Sequence, residues 1–384
     1  MFELSEEQSD FKTSLRTFVD KEIIPVAREM EAEGEYPTDI IDKLKEMGLF
    51  GLTIPEEHDG LNIDPVSFGI VFEELARGWM GIAGVLGSHT MAAKMIAEHG
   101  TDEQKSKHLS ALASGKQRTA LALTEPDAGT DLQGIKTTAK KVGDRYIING
   151  AKMWITNARH ADPLPVLVKT DTATTPAHKG MSILLVSADT PGFEVTKDIP
   201  KLGYKGPESC EIVFDNCEVS ADALLGGVEG RGMQQVLSAL QWGRVNIAGR
   251  SVGIAQRALE ESVTYAQERE SFGQPISHFQ AIQLRVGRMA TRVQAARQLM
   301  YWSAQSLLKG RADGETGMAK VFCSEVALES AIEAMSIHGG YGYSKEYEIE
   351  RLYRDAPLMS IGEGTNDILN TVIAKSIFSG RTAI

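Results

Sequence analysis

The stretch Thr119-Ala120-Leu121-Ala122-Leu123-Thr124-Glu125-Pro126-Asp127-Ala128-Gly129-Thr130-Asp131 marks the point at which the chain changes character. An apolar run leads into a loop of hydroxyls, a proline and small residues, as a strand gives way to a turn. Beyond it, apolar and β-branched runs recur at 146–148, 166–168, 183–186 and 212–214, divided by turn pairs such as Gly143-Asp144 and Asn149-Gly150. Short runs separated by turns predict a compact antiparallel β domain over residues 119–230.

On either side of this segment the period is helical. Ser5 with Gln8 three positions later forms a capping-box signature, followed by Phe11, Leu15 and Phe18 at helical spacing. Further helical patterns cover 39–47, 68–76 and 89–98, with a Pro/Gly-punctuated connection at 48–60, so residues 1–118 read as an α-helical domain. After 230, Ala248, Val252, Ala255, Leu259, Val263 and Ala266 recur in steps of three or four, as do Ile282, Val286, Met289, Val293, Ala296, Met300, Ser303 and Leu307. Two long helices sharing a core follow. A third ends at Ile337, before Gly339-Gly340. The predicted class is α+β, in the order α (1–118), β (119–230), α (231–384).

A chain of 384 residues is too long for one ordinary core, and 42% hydrophobic with 24% charged residues is the balance of a folded globular protein. Forty basic against fifty-two acidic residues give a net charge of −12, and no Lys/Arg-rich run builds the potential that nucleic acid requires. No apolar run approaches the length of a membrane span. The opening Met1-Phe2-Glu3-Leu4-Ser5-Glu6-Glu7 has no leader pattern, and Cys210, Cys217 and Cys323 form neither a disulfide framework nor a zinc signature. A cytoplasmic, reducing location is the expectation.

No GxGxxG sits in a βαβ setting, so a dinucleotide would have to bind by another route. The loop after Leu123 could cradle phosphate with backbone amides, although alone it reads as an ordinary polar loop. In Lys152-Met153-Trp154-Ile155-Thr156-Asn157, period-two alternation puts Trp154 and Thr156 on one surface, although a lone strand tryptophan is usually core.

Taken together, five segments resemble the acyl-CoA dehydrogenase family across essentially the whole chain, closest to its short-, medium- or branched-chain members. They are Thr124 to Asp131, Lys152 to Thr156, Glu268-Arg269-Glu270-Ser271-Phe272-Gly273, Gly339-Gly340-Tyr341-Gly342 and Glu363-Gly364-Thr365. The resemblance implies an α-helical N-terminal domain, a middle β-barrel-like domain and a C-terminal four-helix bundle enclosing FAD and acyl-CoA. Leu121, Leu123, Thr124, Gly129, Thr130, Trp154, Ile155 and Thr156 would hold the isoalloxazine and pyrophosphate. Arg269, Phe272 and Gln280 would reach the FAD of a neighbouring subunit, which implies a homotetramer built as a dimer of dimers. Ser336, Gly339, Gly340, Thr365 and Asp367 would complete the adenosine side; the family commonly has Gln at 336 and Gln or Glu at 367.

For the acyl-CoA, the resemblance implies contacts from Thr130, Gln241, Arg244 and Gly364, with Gln241 replacing the family's usual Asp. Glu363 is the implied base. Isovaleryl-type members carry theirs one residue before the arginine, where this chain has Gly243. An α-proton is weakly acidic, so its removal needs a desolvated carboxylate, and the enolate needs a donor such as the Glu363 N–H. The expected reaction is FAD-dependent α,β-dehydrogenation of an acyl-CoA, with an electron-transferring flavoprotein as acceptor. Gly362, where straight-chain members of the family often have a bulkier Tyr, would leave space beside the reacting carbons, and no Arg lies within 81–93, so the expected acyl group is saturated, monocarboxylic and short to medium, straight or branched. A relative oxidising another substrate and an acyl-CoA-binding scaffold without catalysis are the alternatives. Retention of Glu363 with every flavin motif weighs against the second.

Overall fold

The computed structural model describes residues 2–382. Helices α1 (Glu6–Phe18) and α2 (Ile24–Glu33) are joined by a π-helical turn at Val19–Ile23. The capping box at α1 is present: Ser5 accepts from the Gln8 amide, and the Gln8 side chain accepts from the Ser5 amide. Helices α3 (Thr38–Glu46), α4 (Pro65–His99) and α5 (Asp102–Ala113) complete the N-terminal unit. The two patterns at 68–76 and 89–98 turn out to be ends of one element, α4, broken at Trp79 (φ −154°, ψ 111°). Nearly every residue of α4 is buried, so it has no polar face to reveal a period.

Strands β1 (Thr138–Val142), β2 (Arg145–Thr156), β3 (Leu164–Lys169), β4 (Met181–Val186), β5 (Phe193–Asp198) and β6 (Ser209–Ser220) form one sheet in the order β4-β3-β1-β2-β6-β5. Four pairings are antiparallel, as expected, but β1 and β3 are parallel and meet only at Thr138 opposite Lys169. The cause is the short crossing after β2, which returns the chain beyond β1 instead of beside β2. The 119–124 run stays outside the sheet except for a parallel bridge of Ala122 to Val166.

Helix α6 (Gly232–Glu268) leads through the small ribbon β7 (Glu270–Ser271) and β8 (Gln274–Pro275) to α7 (Gln280–Ser306), α8 (Asp313–His338), α9 (Ile349–Ile361) and α10 (Asn366–Phe378). One apolar cluster takes residues from α1, α4, α6, α7 and α8, so the two helical units share a core. Another joins the C-terminal half of α4 to α5, β3, β4 and α6. Helices α4 and α6 are thus the common wall of all three units. Among the described residues no helix is long and apolar enough to cross a membrane.

Candidate active site

The loop after Leu123 is fixed to the sheet by a buried ion pair. Lys152 Nζ on β2 lies 2.9 Å from Glu125 Oε1 and also donates to Leu123 O at 3.0 Å. Glu125 accepts from the amides of Lys136 (2.6 Å) and Thr137 (3.0 Å) as well. Burial acts to raise the Glu125 carboxyl, but Lys152 and the two amides hold it below the ordinary carboxylate range. Burial pulls the Lys152 ammonium down to about 8 against the opposing pull of Glu125. Two motifs that the sequence separates by more than twenty residues are therefore one structural unit.

Pairing of β2 with β6 is irregular between Lys152 and Ile155, and there Trp154 takes a left-handed backbone (φ 65°). Its ring is 53% exposed, so Trp154 is not a core aromatic, while Ile155 beside it is buried. Thr156 is half-buried, and Ser88 Oγ of α4 donates to its carbonyl at 3.4 Å. A large flat ring held outward by a strained backbone is a platform for another flat ring. Leu121, Leu123 and Thr124 are half-buried beside it, and Met153 N–H donates to Thr124 O at 2.8 Å. Gly129 and Thr130 are exposed at the loop tip. An exposed ring above exposed loop amides fits an isoalloxazine with its phosphates.

Arg269 and Phe272 lie at the ribbon between α6 and α7, with Gln280 opening α7. Phe272 also has a left-handed backbone (φ 50°) and is 95% exposed. The Arg269 guanidinium lies 5.7 Å from the Tyr341 ring, which brings the ribbon to the Gly339-Gly340 turn. Gly339 (φ 60°) and Gly340 have nothing within reach of an added side-chain carbon, leaving their backbone open to a ligand. Ser336 donates to Ile332 O at 3.1 Å, so its hydroxyl serves its own helix. Among the described residues no hydrogen bond joins Arg269, Phe272 or Gln280 to the 121–131 loop of the same chain.

Glu363 occupies the tight turn between α9 and α10. Gly362 ends α9, and Thr365 caps α10, accepting from the Ile368 amide. Asp367 is exposed in the first turn of α10. Glu363 itself is left-handed (φ 55°), which swings its side chain inward toward α6. A carbon added at Gly243 would meet Glu363 Oε2 at 2.8 Å. Burial raises the Glu363 carboxyl above its ordinary range, opposed by Arg250, Arg244 and Lys320 in that order. Lys320 of α8 holds the turn: its Nζ donates to Gly364 O and to Asn366 Oδ1, both at 2.9 Å.

Gln241 and Arg244 lie about two and a half and three turns into α6. Gln241 Oε1 accepts from the Ala312 amide at 2.7 Å, and Arg244 Nη1 reaches Asp313 Oδ1 at 3.3 Å. Both therefore brace the α7–α8 connection. Gln241 and Trp242 also line an open cleft of about 780 Å³, whose rim carries Lys179, Arg231 and Arg311. Sequence reasoning missed Lys320, Arg250 and the Glu125–Lys152 pair. Lys320, Arg250 and Lys152 are charged residues inside an apolar helical or strand period, Glu125 sits in a polar loop, and only burial distinguishes them.

Three family models, described as the N-terminal, middle and C-terminal domains of acyl-CoA dehydrogenase, match residues 5–116, 120–217 and 230–378. The chain is 41% identical to the probable acyl-CoA dehydrogenase YngJ of Bacillus subtilis, over 98% of this chain and 99% of that one. It is 38% identical to the caffeyl-CoA reductase-Etf complex subunit CarC of Acetobacterium woodii, over 96% and 98%. Among solved structures, butyryl-CoA dehydrogenase from Megasphaera elsdenii superposes with a TM-score of 0.94 at 35% identity, over 98% of this chain and all of that one.

Proposed function

The chain belongs to the acyl-CoA dehydrogenase family, an FAD-dependent family of oxidoreductases, and we propose that it interconverts an acyl-CoA thioester and its trans-2-enoyl partner with Glu363 as the base. The observation that carries this reading is the Glu363 carboxylate, turned inward by a left-handed backbone to stand against Gly243 of α6. Its raised carboxyl suits a base that must hold a proton between substrates. Glu363 takes the proton from the α carbon, and its own N–H is placed to meet the charge that develops on the thioester oxygen. FAD, when bound, supplies the acceptor for the β-hydride.

The remaining residues bind and orient. Trp154 and Thr156 seat the isoalloxazine, Leu121, Leu123 and Ile155 back it, and the amides of Thr124, Gly129 and Thr130 face its phosphates. Gly339, Gly340, Thr365, Asp367 and Ser336 form the adenosine side. Gln241, Arg244 and Gly364 lie along the thioester's route from the open cleft. An electron-transferring flavoprotein is the proposed redox partner, in keeping with the Etf complex named for one relative. Because, among the described residues, Arg269, Phe272 and Gln280 make no hydrogen bond or ion pair with the flavin-side loop of their own chain, we assign them to a neighbouring subunit's FAD in a homotetramer.

The test is anaerobic. The purified yellow protein should lose its flavin absorbance on addition of a saturated short-chain acyl-CoA, with the enoyl product appearing in equal amount. A bound flavin that no acyl-CoA bleaches would overturn the reading.

A further inference from the structure

Arg250 lies on α6 seven residues past Gly243, almost two full turns, and so on the same face. It is 6% exposed. Among the described residues no carboxylate lies within ion-pairing distance of it. Its hydrogen-bonding and packing neighbours are neutral: Nε donates to Asn246 Oδ1 at 2.6 Å, the Tyr204 hydroxyl faces it, and the Phe72 ring is 5.9 Å away, while the Glu363 carboxyl is near enough for Arg250 to favour its ionised form. An unpaired guanidinium away from water is costly, and such groups nearly always have a counter-ion.

The facing helix is cut back to admit it. A carbon added at Gly87 of α4 would fall 2.2 Å from Arg250 Nη2 and 2.2 Å from Asn246 Nδ2; at Gly84 it would fall 1.9 Å from Tyr204 Oη. Around the pocket, Arg244 is paired with Asp313, while Lys320 has only a carbonyl and an amide oxygen. Glu363 is therefore the one carboxylate shared among these cations, and it belongs to the chemistry. One negative charge is missing at the Arg250 end.

We propose that Arg250 is the specificity-determining counter-ion for a distal carboxylate on the acyl group, so that the substrate is the CoA monothioester of a short dicarboxylic acid. This rests on Glu363 as the base. The guanidinium is drawn back toward Asn246, about one turn or roughly 5 Å along the axis from the level of Gly243. A chain of about two or three carbons beyond the α carbon spans that rise. The distal carboxylate pairs with Arg250, bridges to Tyr204, and takes no part in bond-making: the α-proton still goes to Glu363 and the β-hydride to FAD. Residues 81–93 of α4 hold no arginine, but a cation enters from the facing helix α6.

The FAD-loaded protein is assayed by anaerobic flavin bleaching and by turnover with an artificial acceptor. Matched pairs are used: methylsuccinyl-CoA against 2-methylbutyryl-CoA, and glutaryl-CoA against valeryl-CoA. The dicarboxylic member of at least one pair should show kcat/KM greater by about 100-fold, the scale of a buried charge pair. Arg250→Gln should reverse that ratio, and Arg250→Lys should recover part of it. A monocarboxylic preference in the unmodified protein overturns the proposal. So does an equal loss on both members in Arg250→Gln, which would make Arg250 a partner of Glu363 alone. If no thioester of either kind bleaches the bound flavin, the dehydrogenase reading itself fails, and this proposal with it.

Discussion

Gly243 and Glu363 compete for one space: a side-chain carbon on the first would stand 2.8 Å from Oε2 of the second and 2.6 Å from Met91 Sδ. Gly243→Ala should therefore push the carboxylate off the α carbon. A displacement of about 1 Å costs on the order of 100-fold in rate. Stopped-flow bleaching should show that loss with FAD content unchanged. The same proximity predicts that Glu363→Gly combined with Gly243→Glu regains part of the activity, because the second carboxylate starts from the position the first one reaches.

Glu363→Gln removes the base and keeps its shape. The bleaching rate should fall by about 10⁴-fold or more, since the α-proton has no other acceptor. Stability should move the other way. Because the folded state raises the Glu363 carboxyl, its stabilising contribution is present at low pH and is lost as pH rises through the folded value. Glu363→Gln escapes that loss, so its Tm should exceed that of the unmodified protein at neutral pH and converge with it toward pH 4. An equal or lower Tm at pH 7.5 would count against a desolvated carboxylate.

Lys320 favours the ionised form of Glu363 and ties down Gly364 O. Lys320→Met should move the acid limb of the kcat/KM profile to higher pH, because the remaining cations hold the carboxylate less well. A merely loosened turn would lower the whole profile without moving the limb.

The buried pair Lys152–Glu125 anchors the flavin-side loop. Lys152→Met leaves Glu125 unpaired and should cost about 3–5 kcal/mol of unfolding free energy. Denaturant titration would show it. Lys152→Met with Glu125→Gln should recover much of the loss.

Arg269→Glu should lower FAD occupancy and weaken subunit association together. Light scattering combined with the flavin-to-protein absorbance ratio would test this. A fully flavinated, active Arg269→Glu monomer would exclude the cross-subunit assignment.

The order α, β, α was legible because small and apolar residues recur at helical steps over 248–266 and 282–307, the latter with a wet face, and because its strands are short and divided by turns. α4 was legible only in pieces. Buried on all sides and broken at Trp79, it presents no alternation to read. The parallel contact of β1 with β3 was hidden because pairing depends on where a loop crosses, which composition does not encode. Motifs, through the family resemblance, supplied the residues proposed for the flavin side and the proposed base Glu363. They did not reveal that Trp154, Phe272 and Glu363 all have left-handed backbones. Arg250 was invisible for a plainer reason: on a long helix an arginine reads as surface, and its burial depends on two glycines more than 160 positions earlier.

Those glycines tie the histories of two positions together. With a carbon at 87 falling 2.2 Å from the Arg250 guanidinium, neither residue is free to drift alone. A lineage that enlarges position 87 must swing aside or shorten the side chain at 250, and an arginine at 250 keeps its present place only while 87 stays small. Relatives of this chain should therefore divide into those bearing bulk on α4 and those bearing a cation on α6, with few sequences holding both. The steps between the two groups would pass through glycine paired with a small residue, an enlarged and undiscriminating pocket from which either acyl preference could be selected.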